Sequence, residues 1–312
     1  MSKRARTGRI FCGSLFLVFL LYGGFRDVSF AQPRLDTPSA NAGIKNAVPM
    51  PLIKHIALAK SRETWGAGAL GEPVPLADLN GDVIVYMFPY RIGRDKFPDY
   101  DEILAGISEG RELQNTIKNS GLEKARDMYA KMDHKKPQPK ADTIVSQSEM
   151  PGLTPMPSVR PDGSISEKNE WLEVNRFAAG KAIGADEFGT ILVSAGFDDP
   201  PVPAYFHFLA PYYTNFDLAL EKAEQELGQG ASLRTIYFMG LEGQYLEFAN
   251  DGGTVIVHGQ SLEKKSPDAF MPSRGPVSPA QSGSVSLSPR RAKMKADIAA
   301  EWEKFRSEMG GE

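Results

Sequence analysis

The sequence predicts an α+β fold: a mostly antiparallel β-sheet with helices packed on one side, a helical and disordered insertion within it, and a C-terminal amphipathic helix. Three observations carry this. Val83-Ile84-Val85-Tyr86-Met87-Phe88 is apolar throughout, as in a central strand buried on both faces, and Asn80-Gly81 before it suits a tight hairpin. Three short β-rich runs follow one another between Thr235 and His258, the spacing of a meander. Phe216, Leu220, Ala223 and Leu227 form one helical stripe, with Asn215 placed to cap it and Gly228 to stop it.

The elements follow in chain order. Met1 to Arg9 is basic, Ile10 to Phe25 is mostly apolar, and Ser29-Phe30-Ala31 places small residues before Gln32. This is the layout of a secretory signal peptide cleaved after Ala31, giving a secreted or periplasmic protein; an uncleaved N-terminal anchor is the alternative. The apolar run is broken by Gly13, Ser14 and Gly23-Gly24, short of the roughly 20 residues that span a bilayer, so no stable membrane span is expected after cleavage. Residues 32–49 read as a flexible lead-in, and 50–262 as the α+β domain. Met50 to Thr64 is a helix with Pro51 in its first turn, Ile53, Ile56, Ala57 and Lys60 on one side, and Gly66 at its end. Val74 to Leu79 and Val83 to Phe88 form the hairpin.

Residues 97–187 read as an insertion between two strands. Tyr100 to Met132 is helical in two pieces, with Ser120 able to cap the second, and Lys135 to Ile165 holds six prolines and few large apolar residues. Trp171, Val174 and Ala178 mark a short helix ending before Gly180. Strands resume at Thr190 to Ala195 and in the alternating run Val202 to Phe208. Residues 263–289 are a Ser/Pro-rich linker, and in the 290–312 helix Met294, Ile298, Trp302, Phe305 and Met309 line one side.

Composition excludes several classes of function. The 312 residues carry a net charge of −3, with 41% hydrophobic and 24% charged, which excludes collagen-like, cysteine-rich and highly charged disordered chains. Five of the 36 basic residues and one of the 39 acidic ones lie in the first 31, so the mature chain is near −7. The single cysteine, Cys12, goes with the signal peptide. A thiol-free mature chain has no cysteine nucleophile, disulfide, or Cys-ligated zinc or iron–sulfur site.

The remaining chemistry is sparse, and no cofactor is expected. His55, His134, His207 and His258 show no helical metal spacing. Asp78 to Asp82 alternates oxygen ligands as a calcium loop does, but its glycine is early and no glutamate stands at the twelfth position, so it reads as a hairpin turn. Gly180-Lys181-Ala182 lacks the hydroxyl residue of a phosphate loop. A hydrolase would have to draw on Ser194, His207, His258 and Asp198/Asp199.

Recognition has more to work with. Tyr205, Phe206, Phe208, Tyr212 and Tyr213 concentrate aromatic surface near Pro203 and Pro211, either as a groove for a partner or as ordinary core. Trp302 and Phe305 lie on the terminal stripe, which can dock on its own domain, in a partner's groove or on an anionic surface; the acids Asp297, Glu301, Glu303 and Glu308 argue against nucleic acid.

Phe188-Gly189-Thr190-Ile191-Leu192-Val193-Ser194-Ala195, with Asp198-Asp199 and Pro201-Val202-Pro203-Ala204-Tyr205, resembles the G-F/Y-x-I/V-V/I-S-A-D and P-V-L-A/G-Y stretches in the propeptide of streptopain-type cysteine proteases and their small inhibitors. Leu76 to Phe88 is similar to the strand-turn-strand that precedes them there. The match covers about 30 residues; about 90 residues separate strands that the family joins closely, and no protease domain follows. The resemblance implies a propeptide-like module standing alone. The expectation is an exported, non-catalytic binding or protease-inhibitor-like protein whose partner is an exported protease or envelope protein, with a cryptic serine or carboxylate hydrolase or an envelope structural component as alternatives.

Overall fold

The computed structural model describes residues 46–132, 165–185, 187–240, 243–270 and 289–310. The expected signal peptide, most of the expected lead-in, the Pro-rich stretch 135–164 and most of the Ser/Pro-rich linker lie outside the described residues. Helix α1 (Met50–Trp65) starts with Pro51 in its first turn and ends at Gly66, whose φ of 81° is open to glycine and whose N–H bonds to Arg62. Strands β1 (Gly68–Leu70), β2 (Val74–Ala77) and β3 (Val83–Ile92) follow. The β2–β3 turn is organised by Asp78, whose Oδ1 accepts the amide N–H groups of Asn80 and Asp82 at 2.7 and 3.0 Å. This carboxylate holds a turn, as the hairpin reading expected.

The insertion contributes α2 (Tyr100–Ser120), α3 (Leu122–Tyr129) and α4 (Ile165–Ala182). Strand β4 (Phe188–Ser194) then pairs with β3 over seven residues, Arg91 opposite Phe188 and Val85 opposite Ser194. An excursion of this length is tolerated because loop-closure entropy grows only logarithmically with length. The chain continues through β5 (Ala204–Phe206), α5 (Pro211–Thr214), α6 (Phe216–Leu227), β6 (Ser232–Phe238), β7 (Gln244–Asn250), β8 (Gly253–His258), β9 (Lys264–Lys265), α7 (Pro267–Phe270) and α8 (Pro289–Gly310). The sheet order is β5-β4-β3-β2-β6-β7-β8-β9, with β1 also on β3. Every pairing is antiparallel except β2 with β6, which meet in parallel at Ala77 and Tyr237 and join two antiparallel halves. The fold is α+β with a mostly antiparallel sheet, as expected.

Helices cover both faces of the sheet, which corrects the one-sided expectation. On one face Tyr86, Phe88, Ile191 and Val193 pack against Leu52, Ile53 and Ile56 of α1 and Trp302 and Phe305 of α8. On the other, Val85, Met87, Leu192, Leu246 and Phe248 pack against Tyr100 and Ile103 of α2, Tyr212 and Tyr213 of α5, and Phe216 and Ala219 of α6. The reason lies in β3 and β4, which are apolar on both sides. Each large side chain left facing water would forgo roughly 1.5–3 kcal/mol. A third cluster, Leu113, Ile117, Ala125, Val174 and Ala178, holds the insertion helices together.

Several local expectations are corrected. The alternating run 202–208 yields only the three residues of β5, because Pro201 and Pro203 have no N–H to donate. Asn215 occupies the N-cap of α6 without capping it; its Nδ2 donates to the Gly259 carbonyl at 2.9 Å. Gly121, not Ser120, precedes α3. Helix α4 runs on through Gly180 to Ala182. The linker opens with β9 and α7, and the end of the lead-in joins the core, with Ala47 bridging Gly196 and Val48 fully buried.

The buried phenols predict an alkaline limit to stability. Burial raises Tyr86, Tyr100, Tyr212, Tyr213 and Tyr237 above the ordinary value of 10.0. Tyr129 is pushed up to about 12 by burial and by its hydrogen bond to Glu173. A raised phenol favours the neutral form in the fold, so its contribution is fully present below the unfolded value and lost as pH rises through the folded one. Stability is expected to hold up to about pH 10 and fall above it, with tyrosinate absorbance rising together with loss of far-ultraviolet circular dichroism. Simple titration of all tyrosines in the ordinary phenol range with the fold intact contradicts this.

Candidate functional site

The structure splits the seven candidate partner-binding residues into three groups. Tyr212 and Tyr213 are 3% and 0% exposed and belong to the core, so they are removed from the binding surface. Strand β5 ends at Phe206, and at Pro211 the chain enters the helical turn of α5, where successive side chains no longer alternate between in and out. The turn is pinned by Thr190, whose hydroxyl donates to the Phe208 carbonyl at 2.7 Å and accepts the Ala210 N–H at 3.1 Å.

Trp302 and Phe305 are also removed, because α8 docks on its own domain. Trp302 is 2% exposed; its indole Nε1–H donates to the Asp199 carbonyl at 2.9 Å, and its ring meets Phe197 edge to face at 4.9 Å. The Arg306 guanidinium lies 4.3 Å from the other ring of this pair, Phe197. Only the middle of the predicted stripe is used, since Met294 and Met309 stay exposed.

Tyr205 and Phe206 remain, 46% and 36% exposed on β5, with the half-buried Phe208 beside Phe206 at a ring distance of 5.5 Å. Strand β5 ends the sheet, paired only with β4 among the described strands. Tyr205 stands opposite Ile191, whose side chain packs on the α1 face. There it completes a corner of three rings set nearly at right angles: Trp65 at 6.2 Å, His207 at 6.4 Å, and Trp65 to His207 at 5.8 Å. The Lys60 ammonium lies 5.9 Å from the Tyr205 ring.

The corner is held rigidly from below. Trp65 Nε1–H donates to His207 Nδ1 at 3.0 Å, which requires that nitrogen to be unprotonated and places the imidazole proton on Nε2. The indole stacks on Tyr90 at 5.7 Å, and the Tyr90 hydroxyl donates to the Gly66 carbonyl at 2.6 Å. Gly189 makes room for it, since a Cβ there would lie 2.5 Å from the Trp65 ring. Trp65, Tyr90, Lys60 and His207 were not signalled as parts of one site. Trp65 and His207 are 142 residues apart, and no spacing rule joins them.

The hydrolase candidates are engaged separately. The Ser194 hydroxyl donates to the Pro200 carbonyl at 2.7 Å, His207 accepts from Trp65, and His258 Nδ1 lies 2.8 Å from Ser261 Oγ within a local turn. Asp198 and Asp199 are exposed beside a proline turn. Among the described residues no group of three or more His, Cys, Asp or Glu is placed to hold a metal ion, and no helix is long and apolar enough to cross a membrane.

A second concavity lies between the insertion and the core. It encloses about 290 Å³ and is lined by Arg111, Gln114 and Asn115 of α2, Ala182 and Ile183 at the end of α4, the segment Phe208–Leu218 in part, and Gln260. Arg111 makes two parallel bonds to the Asp217 carboxylate, at 2.7 and 2.9 Å. No protein-family model matches the chain, and neither the curated proteins nor the solved structures include a significant match to it.

Proposed function

We propose that this protein is an exported, non-catalytic binding protein that recognises another exported protein, a protease or an envelope component, through the aromatic corner at the β5 edge. The observation that carries the reading is the exposure of Tyr205 and Phe206 on the two faces of one edge strand, with Tyr205 set against an indole already fixed by a hydrogen bond and a stacked ring. Rigid aromatic groups bind with little loss of side-chain freedom, and interface hot spots are enriched in them. Pro201 and Pro203 disfavour pairing of a further strand along this edge, so recognition falls to the side chains.

The test is capture of partners from the exported fraction by the mature protein and by a Tyr205→Ala/Phe206→Ala variant. Both positions are partly solvent-exposed, so a stability loss within about 1 kcal/mol is expected, together with loss of the specific partner. A partner retained by the variant removes this surface from the reading. Where the partner is a cysteine protease, as the propeptide resemblance implies, its activity on peptide should fall on addition of the wild type and not of the variant.

A further inference from the structure

We infer that the cavity between the insertion and the core is a binding site for an uncharged, hydroxyl-rich small molecule of about monosaccharide size, a role beyond partner recognition at the sheet edge. Its volume of about 290 Å³ lies just below the roughly 300–1,000 Å³ of ligand sites in general, which suits a small ligand. Its lining selects the chemical class. Phe208, Leu209, Ile183 and Leu218 provide apolar surface suited to the C–H face of a ring. Asn115 and Gln260 bring carboxamides, which donate and accept as sugar hydroxyls do.

Charge excludes the alternatives. Among the described residues Arg111 is the single charged one in the lining, and it is already paired in parallel with Asp217. A ligand carboxylate or phosphate meets the Asp217 charge behind Arg111, and a ligand cation meets Arg111 first, so neither sign is favoured. What Arg111 still offers is N–H groups beyond the two that Asp217 takes, aimed by that bidentate pair rather than free to swing. A neutral polyol with one apolar face satisfies all three kinds of wall.

The mature full-length protein is titrated by calorimetry and NMR with the methyl pyranosides of glucose, galactose and N-acetylglucosamine, with short oligosaccharides of each, and with glucuronate and glucosamine as charged comparators. At least one neutral pyranoside or its oligosaccharide is expected to bind with millimolar or better affinity and to raise the melting temperature. Preference for the oligosaccharide identifies a glycan end, and equal affinity identifies a free sugar; both support the site. Asn115→Ala with Gln260→Ala changes two exposed positions and is expected to weaken binding about tenfold or more with the fold retained. Tyr205→Ala is expected to leave sugar binding unchanged, which separates this site from the sheet edge. No neutral sugar bound at tens of millimolar, tighter binding of a charged comparator, or binding untouched by the double variant overturns the inference.

Discussion

Replacing Gly110 with alanine is expected to separate the insertion helices and lower stability by about 3 kcal/mol, near the upper end of overpacking costs. Gly110 is buried in the middle of α2, where α4 approaches so closely that a Cβ would lie 2.3 Å from the Ala182 nitrogen and 2.7 Å from the Lys181 carbonyl carbon. These are backbone atoms and cannot rotate away. Alanine improves helix propensity over glycine by only about 1 kcal/mol, so the overlap wins. The variant should show a lower urea midpoint with faster hydrogen exchange in α2 and α4, and it should lose the cavity that Ala182 lines. Gly106→Ala is the control, because no atom beyond its own turn of helix backbone stands within 4 Å of its added carbon. It should be neutral or stabilising; equal losses in both variants contradict the argument.

Replacing Trp302 with alanine is expected to release α8 while leaving the sheet folded. Among the described residues the indole is the largest fully buried side chain, and removing a buried Trp forfeits about 3–5 kcal/mol. Beyond Trp302, Phe305 and the half-buried Ile298, most of the described side chains of α8 face solvent, so little else holds it. The loss is therefore local. Proteolysis within 289–310 should accelerate, exchange in β3 and β4 should stay slow, and dye binding should report the uncovered α1 face. Met294→Ala, at a position 57% exposed, should change stability by no more than about 0.5 kcal/mol. An α8 that remains protected without Trp302 shows that the docking has another source.

Much of the fold was legible because burial imposes period. The continuous apolar run of β3, the Asn-Gly turn and the stripe of α6 each state a local environment that the structure then supplies. β1 was missed because three half-buried residues carry no pattern. The two-sided cover of the sheet was missed, although a strand apolar on both faces, as β3 is, demands it. The site was half legible. Residue type marked the aromatic segment 205–213, but not which of its rings face water; the strand ends at Phe206, and the helical turn that starts at Pro211 carries Tyr212 and Tyr213 inside.

Sequence alone determined the α+β class, the strand and helix periods, the shape of the Asp78 turn and the absence of thiol after Ala31, because each depends on residues close in the chain or on composition. Only the tertiary structure decided that α8 closes over α1, that Trp65 meets His207, and that α2, α4 and the segment after Phe208 enclose a cavity. Those outcomes rest on contacts between residues far apart in the chain, which are selected by packing of the whole molecule and leave no local period to read.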